Sequence, residues 1–381
     1  MHLKDQVAIL SAFADLPDPR GGRHRLHPLQ EVLLVALAGM ASGAEDWVSV
    51  SEWGEVRLAW LRQFLPFKRG IASHDTFRRV FALLDASQFE ALFMAWMSGL
   101  CPSLADQTIA IDGKSLRGSR SAKGLTHLVS ACHTDSGLTL AQGRTADKSN
   151  EITAVPALLE ALDIRGATVT IDAMGCQRLI ANKIVERGAH YILSTKNNQP
   201  KLAQATQTGF DHSVRDVAQG LLQQHITLDK DHARLETRRC VISRDLAHFD
   251  PELRHQWPGL QTTIMVESTR EILGGTHQGR ITTERRYYIS SAAFDAAEFN
   301  RRIRAHWRIE NRCHWLLDVV FGEDDCRLHT GHGAQNFAIL RRIVLNLLKN
   351  EKSTKASVKL KWLRLGWSVD YLQSLLGLSP R

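Results

Sequence analysis

The spacing of apolar residues changes near residue 106, and this change restricts the possible folds more than any other feature. Before that point, apolar residues recur at helical spacing, as in Phe77, Val80, Phe81 and Leu84, which predicts amphipathic helices. After it, short apolar runs separated by Gly and Asp turns predict β-strands. The chain therefore divides into an all-helical N-terminal part and a longer α/β part.

The elements of the α/β part follow a specific order. Strands are predicted at 109–112, 125–132, 138–145, 169–172 and 191–195, and helices at 150–163, at 178–187 and from 201 onward. Three strands followed by helix, strand, helix, strand and helix is the order of a ribonuclease-H-like α/β core with a mixed sheet. We expect that fold here, preceded by an all-helical N-terminal domain.

A second β-rich stretch interrupts this core. Strand-like runs at 234–243, 261–268 and 280–290 precede helical patterns from Asp295 and at 334–350, which predicts a β-rich insertion. The predicted segments are a helical N-terminal domain at 1–105, the first part of the core at 106–224, the insertion at 225–292, the rest of the core at 293–350, and a basic tail at 351–381.

The charge of the chain is concentrated at its C-terminal end. The formal net charge is +8, and from Arg341 to Arg381 nine Lys or Arg residues stand against Glu351 and Asp370. Such a segment is either a solvated tail or a segment that contacts phosphates. Trp362 lies among these charges, which favours phosphate contact.

Cysteine usage and hydropathy predict a cytoplasmic protein. The six cysteines are scattered without a C-x-x-C pair, as in reduced cytosolic proteins. The N-terminus has no signal-peptide layout. The longest apolar run, residues 32–44, is too short to span a bilayer, and we expect no membrane partner.

Three acidic residues stand in contexts that suit divalent cations. Asp112 and Asp172 each end a β-rich apolar run, and functional side chains of α/β proteins gather at the carboxyl ends of strands. Glu310 lies in a helical segment. Carboxylate oxygens suit Mg²⁺ or Mn²⁺, and two such ions can promote in-line displacement at a phosphodiester.

The helical pattern around Glu310 predicts that this carboxylate lies on a largely buried face. On a regular helix it shares a face with Ile303, His306, Trp307, Cys313, His314 and Leu317. An unpaired carboxylate there would be costly. Metal coordination or pairing with a neighbouring His or Arg would remove the cost, and a salt bridge to Arg304 or Arg308 is the purely structural alternative.

A short basic helix is predicted after residue 73. Ser73 is its expected N-cap, and Arg78 and Arg79 point away from its apolar face. Such a helix is similar to DNA-reading helices, although an ordinary surface helix has the same pattern.

Six short motifs carry a resemblance to a known family. They are Ile-Asp-Gly-Lys-Ser-Leu-Arg-Gly-Ser at 111–119, Lys-Ser-Asn-Glu-Ile at 148–152, Ile-Asp-Ala-Met-Gly-Cys-Gln at 171–177, Lys-Asn-Asn-Gln at 196–199, His-Trp-Arg-Ile-Glu-Asn at 306–311 and His-Trp-Leu-Leu-Asp-Val at 314–319. The chain resembles the bacterial DDE transposases of insertion sequences, specifically the H-repeat-associated group. The resemblance covers nearly the whole chain and includes an N-terminal associated domain that ends near Ser103.

The resemblance implies a function and a site. Asp112, Asp172 and Glu310 would form the DDE triad and bind two Mg²⁺ or Mn²⁺ ions. The activity would be cleavage of insertion-element ends and strand transfer into target DNA. The expected partner is double-stranded DNA, both the element ends and the target, bound by a homodimer in the synaptic complex. The protein would be associated with the nucleoid when active, and no nucleotide cofactor is expected.

Basic residues near the acidic motifs are expected to contact DNA. Lys114, Arg117 and Lys148 flank the acidic site and would hold phosphates. Residues 1–105 would form the DNA-binding or associated domain.

The surroundings of the glutamate depart from the wider family, where a Tyr, an Arg and a Lys accompany it. Those places hold Ile303, His306 and Leu317 here, so Arg304 and Arg308 are the candidates for the arginine. Related enzymes stack a flipped base on a Trp in the insertion. Trp257 is the candidate, with a place in the insertion's own core as the alternative.

Other interpretations remain. Cys313, Cys326, His329 and His332 form Cys-x12-Cys-x2-His-x2-His, which departs from zinc-finger spacing, and we do not expect zinc there.

A catalytically inactive or domesticated DNA-binding protein, or a cellular structure-selective nuclease of the same fold, would share most of these features.

Overall fold

The computed structural model describes residues 9–21, 25–121, 124–145, 151–210, 222–231 and 233–380. The chain forms two compact units. Unit 1 contains Met1–Ser103, Gly113–Asn150 and Ile309–Arg381, and unit 2 contains Leu104–Asp112 and Glu151–Arg308. Each unit is therefore assembled from segments that are distant in sequence.

The helices and strands are numbered in chain order. The strands are β1 (Thr108–Ser121), β2 (Gly124–His133), β3 (Thr139–Thr145), β4 (Thr168–Ile171), β5 (His190–Thr195), β6 (Gln223–Asp231), β7 (Arg234–Ser243), β8 (Thr262–Ile272) and β9 (Ile281–Ser290). The α-helices are α1 (Ile9–Ala12), α2 (Leu29–Ala41), α3 (Trp47–Val56), α4 (Leu58–Leu61), α5 (His74–Leu83), α6 (Ala86–Leu100), α7 (Glu151–Ala161), α8 (Arg178–Glu186), α9 (Pro200–Thr208), α10 (Pro251–His255), α11 (Ala296–His306), α12 (Trp315–Val319), α13 (Gly333–Asn350), α14 (Val358–Trp367) and α15 (Val369–Leu376).

The strands and helices predicted between residues 106 and 208 are all observed, with modest shifts of most boundaries. One exception is β1, which does not end at Asp112 but continues to Ser121. Beyond this range, β6 was not predicted as a separate strand. Its alternating apolar residues Ile226 and Leu228 are exposed, so the usual contrast between a buried apolar face and a solvated polar face is missing.

Unit 2 is built on a mixed sheet. β4 is parallel to both β1 and β5, β9 is antiparallel to β5, and β8, β7 and β6 follow in antiparallel order. The predicted β-rich segment thus extends the same sheet. Helix α11 packs on β6 and β7, and its Phe299 and Ile303 share a buried cluster with Ile242 and Val266.

Unit 1 has α13 at its centre, in contact with α2, α5, α6 and β3. Because α13 is buried on almost every side, its polar side chains need partners. Asn346 donates to the carbonyl of Thr139 at 2.8 Å and accepts from its N–H at 3.0 Å. Asn336 donates to the carbonyl oxygens of Phe81 and Leu84. These bonds attach α13 to β3 and to the end of α5.

The C-terminal segment expected to be a basic tail contains helices α14 and α15. Part of its charge is neutralised, because the buried Lys361 ammonium lies 2.9 Å from Glu351 Oε2. Among the described residues, no single helix is long and apolar enough to cross a membrane. The helices α5 and α6, which are bent relative to each other, together have the length and composition of a membrane span.

Candidate active site

Asp112 and Asp172 occupy equivalent positions on neighbouring parallel strands of unit 2. β1 and β4 pair in register from Thr108 with Thr168 to Ile111 with Ile171, and the two aspartates follow directly. Both are partly buried. The pairing brings the two residues side by side, since adjacent parallel strands present successive residues at one edge.

The carboxylate of Asp172 is oriented by the turn that follows β4. Its Oδ1 accepts from the N–H of Met174 at 3.0 Å and of Gly175 at 3.3 Å. A Cβ at Gly175 would lie 2.1 Å from Ile171 Cγ2, so this close turn requires glycine. Asn198 Nδ2 donates to the carbonyl of Ala173 at 2.6 Å, which attaches the loop after β5 to the same turn.

Glu310 begins a π-helical turn, Glu310–His314, in unit 1. The prediction that it faces a buried environment is wrong, because its side chain is 65% exposed. The helical wheel assumed a constant 3.6-residue period, whereas the chain has a turn at Trp307 and then a π-turn, which breaks that period. Such π-turns are frequent at functional sites.

Of the alternatives considered for Glu310, the structure contains the pairing with a neighbouring histidine. His314 Nδ1 lies 3.4 Å from Glu310 Oε2. This hydrogen bond is the main reason that the pKa of Glu310 is lowered, and it outweighs the opposing effect of partial burial. The carboxylate is therefore anionic at neutral pH.

Lys114 is not placed as an exposed phosphate ligand. It is 8% exposed, and its ammonium contacts Asp318 and lies 2.9 Å from Glu323 Oε2 and 3.9 Å from Asp324 Oδ1. These carboxylates, all in unit 1, already neutralise the ammonium that a phosphate would have to contact. The predicted phosphate role of Lys114 therefore conflicts with its surroundings.

The other predicted basic residues have varied surroundings. Arg117 is exposed and lies 3.4 Å from Asp324 Oδ2. Lys148 lies outside the described residues. Arg78 and Arg79 are exposed on α5, as predicted, and Arg78 pairs with Asp75 at 2.8 Å.

Near the end of α11, Arg304 is exposed and forms an ion pair with Asp229, and Arg308 is half-buried. Their DNA contacts remain predictions. His306 is buried, and its Nδ1 lies 3.0 Å from Thr170 Oγ1 on β4. Ile303 and Leu317, the other two departures from the family pattern, are core residues.

Trp257 is a core residue and not a surface platform. Its side chain is 1% exposed, whereas stacking of a base needs an accessible aromatic face. The core alternative is the one observed. Local sequence could not decide this, because the short helix α10 and the Pro258-Gly259 turn beside Trp257 are compatible with either orientation.

The described residues do not gather Cys313, Cys326, His329 and His332 into a group able to hold a metal. Cys313 is buried with its Sγ 3.4 Å from Thr139 Oγ1, while both histidines are exposed. The four candidate ligands therefore lie in different surroundings.

Sequence reasoning assigned no role to three residues beside Asp172. Two cavities of unit 2 are lined by Asp172, Lys196 and Arg286, and one of them also by Trp307. Lys196 stands in one of the quoted motifs, directly after a predicted strand. Arg286 belongs to β9, and its place beside Asp172 depends on the antiparallel pairing of β9 with β5.

Two family models match the chain. The model described as "Transposase DDE domain" matches residues 103–347, and the model described as "DDE_Tnp_1-associated" matches residues 10–97. The chain belongs to the DDE transposase family. Members of this family bind and cleave DNA in transposition and recombination, and they typically use divalent metal ions.

Relatives similar over their whole length place this DDE transposase in the H-repeat-associated group. The "H repeat-associated putative transposase YhhI" of Escherichia coli (strain K12) is 37% identical, over 99% of this chain and 98% of its own. The "Putative transposase YncI" of Escherichia coli O157:H7 is 36% identical, over 97% of this chain and 94% of its own. A solved piggyBac transposase synaptic complex with hairpin DNA has a TM-score of 0.45 at 10% identity, covering 98% of this chain and 78% of that chain.

Proposed function

We propose that this transposase cleaves the ends of an insertion element in a metal-dependent reaction and joins the freed strand to target DNA, using Asp112, Asp172 and Glu310. The observation that carries the proposal is the register of β1 and β4, which puts the two aspartates at equivalent positions on adjacent parallel strands. The parallel pairing of β1 with β4 and of β4 with β5 in unit 2 also supports a ribonuclease-H-like core.

The chemistry of the proposed ligands fits hard divalent cations. Carboxylate oxygens are the ligands that Mg²⁺ and Mn²⁺ prefer, and the lowered pKa of Glu310 keeps that group ionised. Two such ions, when bound, would lower the pKa of water and stabilise charge on the phosphoryl oxygens.

The protein's own residues would supply orientation. The N–H groups of Met174 and Gly175 fix one oxygen of Asp172, and His314 orients Glu310. Holding the phosphodiester and the attacking oxygen in line contributes to the rate because the reaction then needs little further ordering.

The proposal includes the partners. Double-stranded DNA at the element ends and at the target would be bound by a homodimer in the cytoplasm, with the nucleoid as its place of action. Residues 1–105, which carry Arg78 and Arg79, would take part in DNA binding. Arg117, Arg304 and Arg308 would add contacts to the backbone.

The test is cleavage of a duplex that carries the inverted repeats flanking the gene. We expect nicking at the repeat end with Mg²⁺ and none with excess EDTA. Asp172→Asn and Asp112→Asn should lose cleavage by at least roughly a thousandfold, as expected when a group acting on the transition state is removed, and should still bind DNA. Asp163→Asn, which changes an exposed aspartate of unit 2, is the control and should cleave normally.

Three results would contradict the proposal. Cleavage by either aspartate variant would exclude the triad. DNA binding by the wild type without any cleavage would indicate an inactive or domesticated DNA-binding protein. Cutting of branched DNA without regard to the repeats would indicate a structure-selective nuclease.

A further inference from the structure

Two cavities beside Asp172 share two basic side chains in their lining. The smaller has a volume of about 70 Å³ and the larger about 490 Å³. Asp172, Lys196 and Arg286 line both. Glu284 and Arg285 also line the larger cavity. Two cations, Lys196 and Arg286, therefore face the same space as Asp172, the residue proposed to act on a phosphodiester.

Lys196 leaves the sheet at the same edge as Asp172. β4 and β5 are parallel and pair Ile171 with Leu193, and Lys196 is the first residue after β5. Its side chain is exposed. The loop that carries it is attached to the turn after Asp172 by the hydrogen bond from Asn198 to the carbonyl of Ala173. This bond holds the backbone from which the Lys196 side chain extends.

Arg286 presents an oriented guanidinium. Its Cζ lies 4.5 Å from the centre of the Trp307 ring, a stacking that restricts the plane of the group. Glu284 accepts from Nε at 2.7 Å and from Nη2 at 3.1 Å. Tyr288 is a further side-chain hydrogen-bond partner of Arg286. A guanidinium has five N–H donors, so donors remain beyond those that Glu284 and Tyr288 use.

We propose that Lys196 and Arg286 bind one backbone phosphate of the DNA strand that enters the cleft beside Asp172, with Trp307 as the residue that positions Arg286. This inference rests on the proposed function and names a contact of the same site. A phosphate fits because lysine offers a point charge and arginine a planar group of donors, the two common partners of phosphate oxygens.

The test measures the salt dependence of DNA binding by the full chain. The probe is a fluorescein-labelled 30-base-pair duplex of arbitrary sequence, titrated at several NaCl concentrations without divalent metal. Each phosphate contact contributes about 0.9 to the slope of log affinity against log salt concentration. We expect Lys196→Ala and Arg286→Ala each to weaken binding and to reduce the slope by about 1.

Two further variants make the result specific. Lys183→Ala removes the same charge from a lysine that lies 3.7 Å from Glu186 and 4.0 Å from Glu160, and it should bind like the wild type. Arg286→Lys keeps the cation, so it should retain most of the slope even if Arg286→Ala unfolds. Thermal melting checks that each variant is folded.

The inference is overturned if folded Lys196→Ala matches Lys183→Ala in both affinity and slope. That result would leave the proposed function intact, since cleavage that depends on Asp172 is measured separately. Conversely, a reduced slope in a protein whose cleavage does not depend on Asp172 would support the phosphate contact and contradict the catalytic proposal.

Discussion

Glu323 and Arg342 form an ion pair in which both side chains are completely buried, with 2.7 Å between Glu323 Oε1 and Arg342 Nη1. The second oxygen of Glu323 lies 2.9 Å from Lys114 Nζ. Burial alone would raise the pKa of Glu323, but the charges of Arg342 and Lys114 lower it to about 2. The pair joins the 3₁₀ turn Glu323–Asp325 to α13 inside unit 1.

Glu323→Gln should destabilise the protein by about 3–5 kcal/mol at pH 7, because it leaves Arg342 charged and buried without its partner. The carboxylate's folded pKa is depressed, so its contribution is complete above about pH 4.5 and is lost as the pH falls towards 2. Urea unfolding should therefore show a difference between wild type and variant that shrinks over that interval. Asp325→Asn, at an exposed position in the same turn, should change little, and equal losses in the two variants would contradict the role of the pair.

Glu90 should make stability depend on pH in the opposite sense. Burial raises its pKa to about 7, despite hydrogen bonds from Gln335 and Gln142. The folded state therefore binds more protons than the unfolded state between about pH 4.5 and 7, and this contribution to stability is lost as the pH rises through that interval.

Glu90→Gln should remove this dependence. The free energy of unfolding of the variant, relative to that of the wild type, should be higher at pH 8 than at pH 4.5 by on the order of 3 kcal/mol. This figure follows from about 1.4 kcal/mol for each unit of pKa shift. Urea titrations at both values measure it. A constant difference between wild type and Glu90→Gln across the interval would show that Glu90 does not titrate there.

The beginning of β1 and the whole of β4 could be predicted because each is a short apolar run, a signal contained in a few neighbouring positions, but the continuation of β1 beyond Asp112 to Ser121 was not predicted. The exposure of Glu310 could not, because a π-turn breaks the period on which a helical wheel depends. The ion pairs of Lys114 could not either, since Asp318 and Glu323 lie some two hundred residues further along the chain. Local patterns locate the elements, but the partners of single side chains are set by packing between distant segments.

Trp257 should matter for stability and not for DNA binding. Trp257→Ala should cost about 3–5 kcal/mol, as is usual when a buried tryptophan is truncated, while Trp257→Phe should fold and bind DNA with the affinity of the wild type. Trp307→Ala, by contrast, changes a side chain that is 44% exposed and should lower the melting temperature little. Weaker DNA binding by folded Trp257→Phe would revive a direct role for Trp257.

Gly175→Ala should impair cleavage more than folding. The added methyl would lie 2.1 Å from Ile171 Cγ2, so the turn that fixes Asp172 must move, at a cost of about 1–3 kcal/mol for overpacking. Displacement of the carboxylate should reduce Mg²⁺-dependent cleavage by at least roughly tenfold, because a shift of about 1 Å in a reacting group can cost a hundredfold. Gly99→Ala is the matched control, since nothing lies within 4 Å of the added methyl in helix α6 and alanine favours helix by up to about 1 kcal/mol. A Gly175→Ala protein that cleaves at the wild-type rate would show that the geometry of this turn does not limit the reaction.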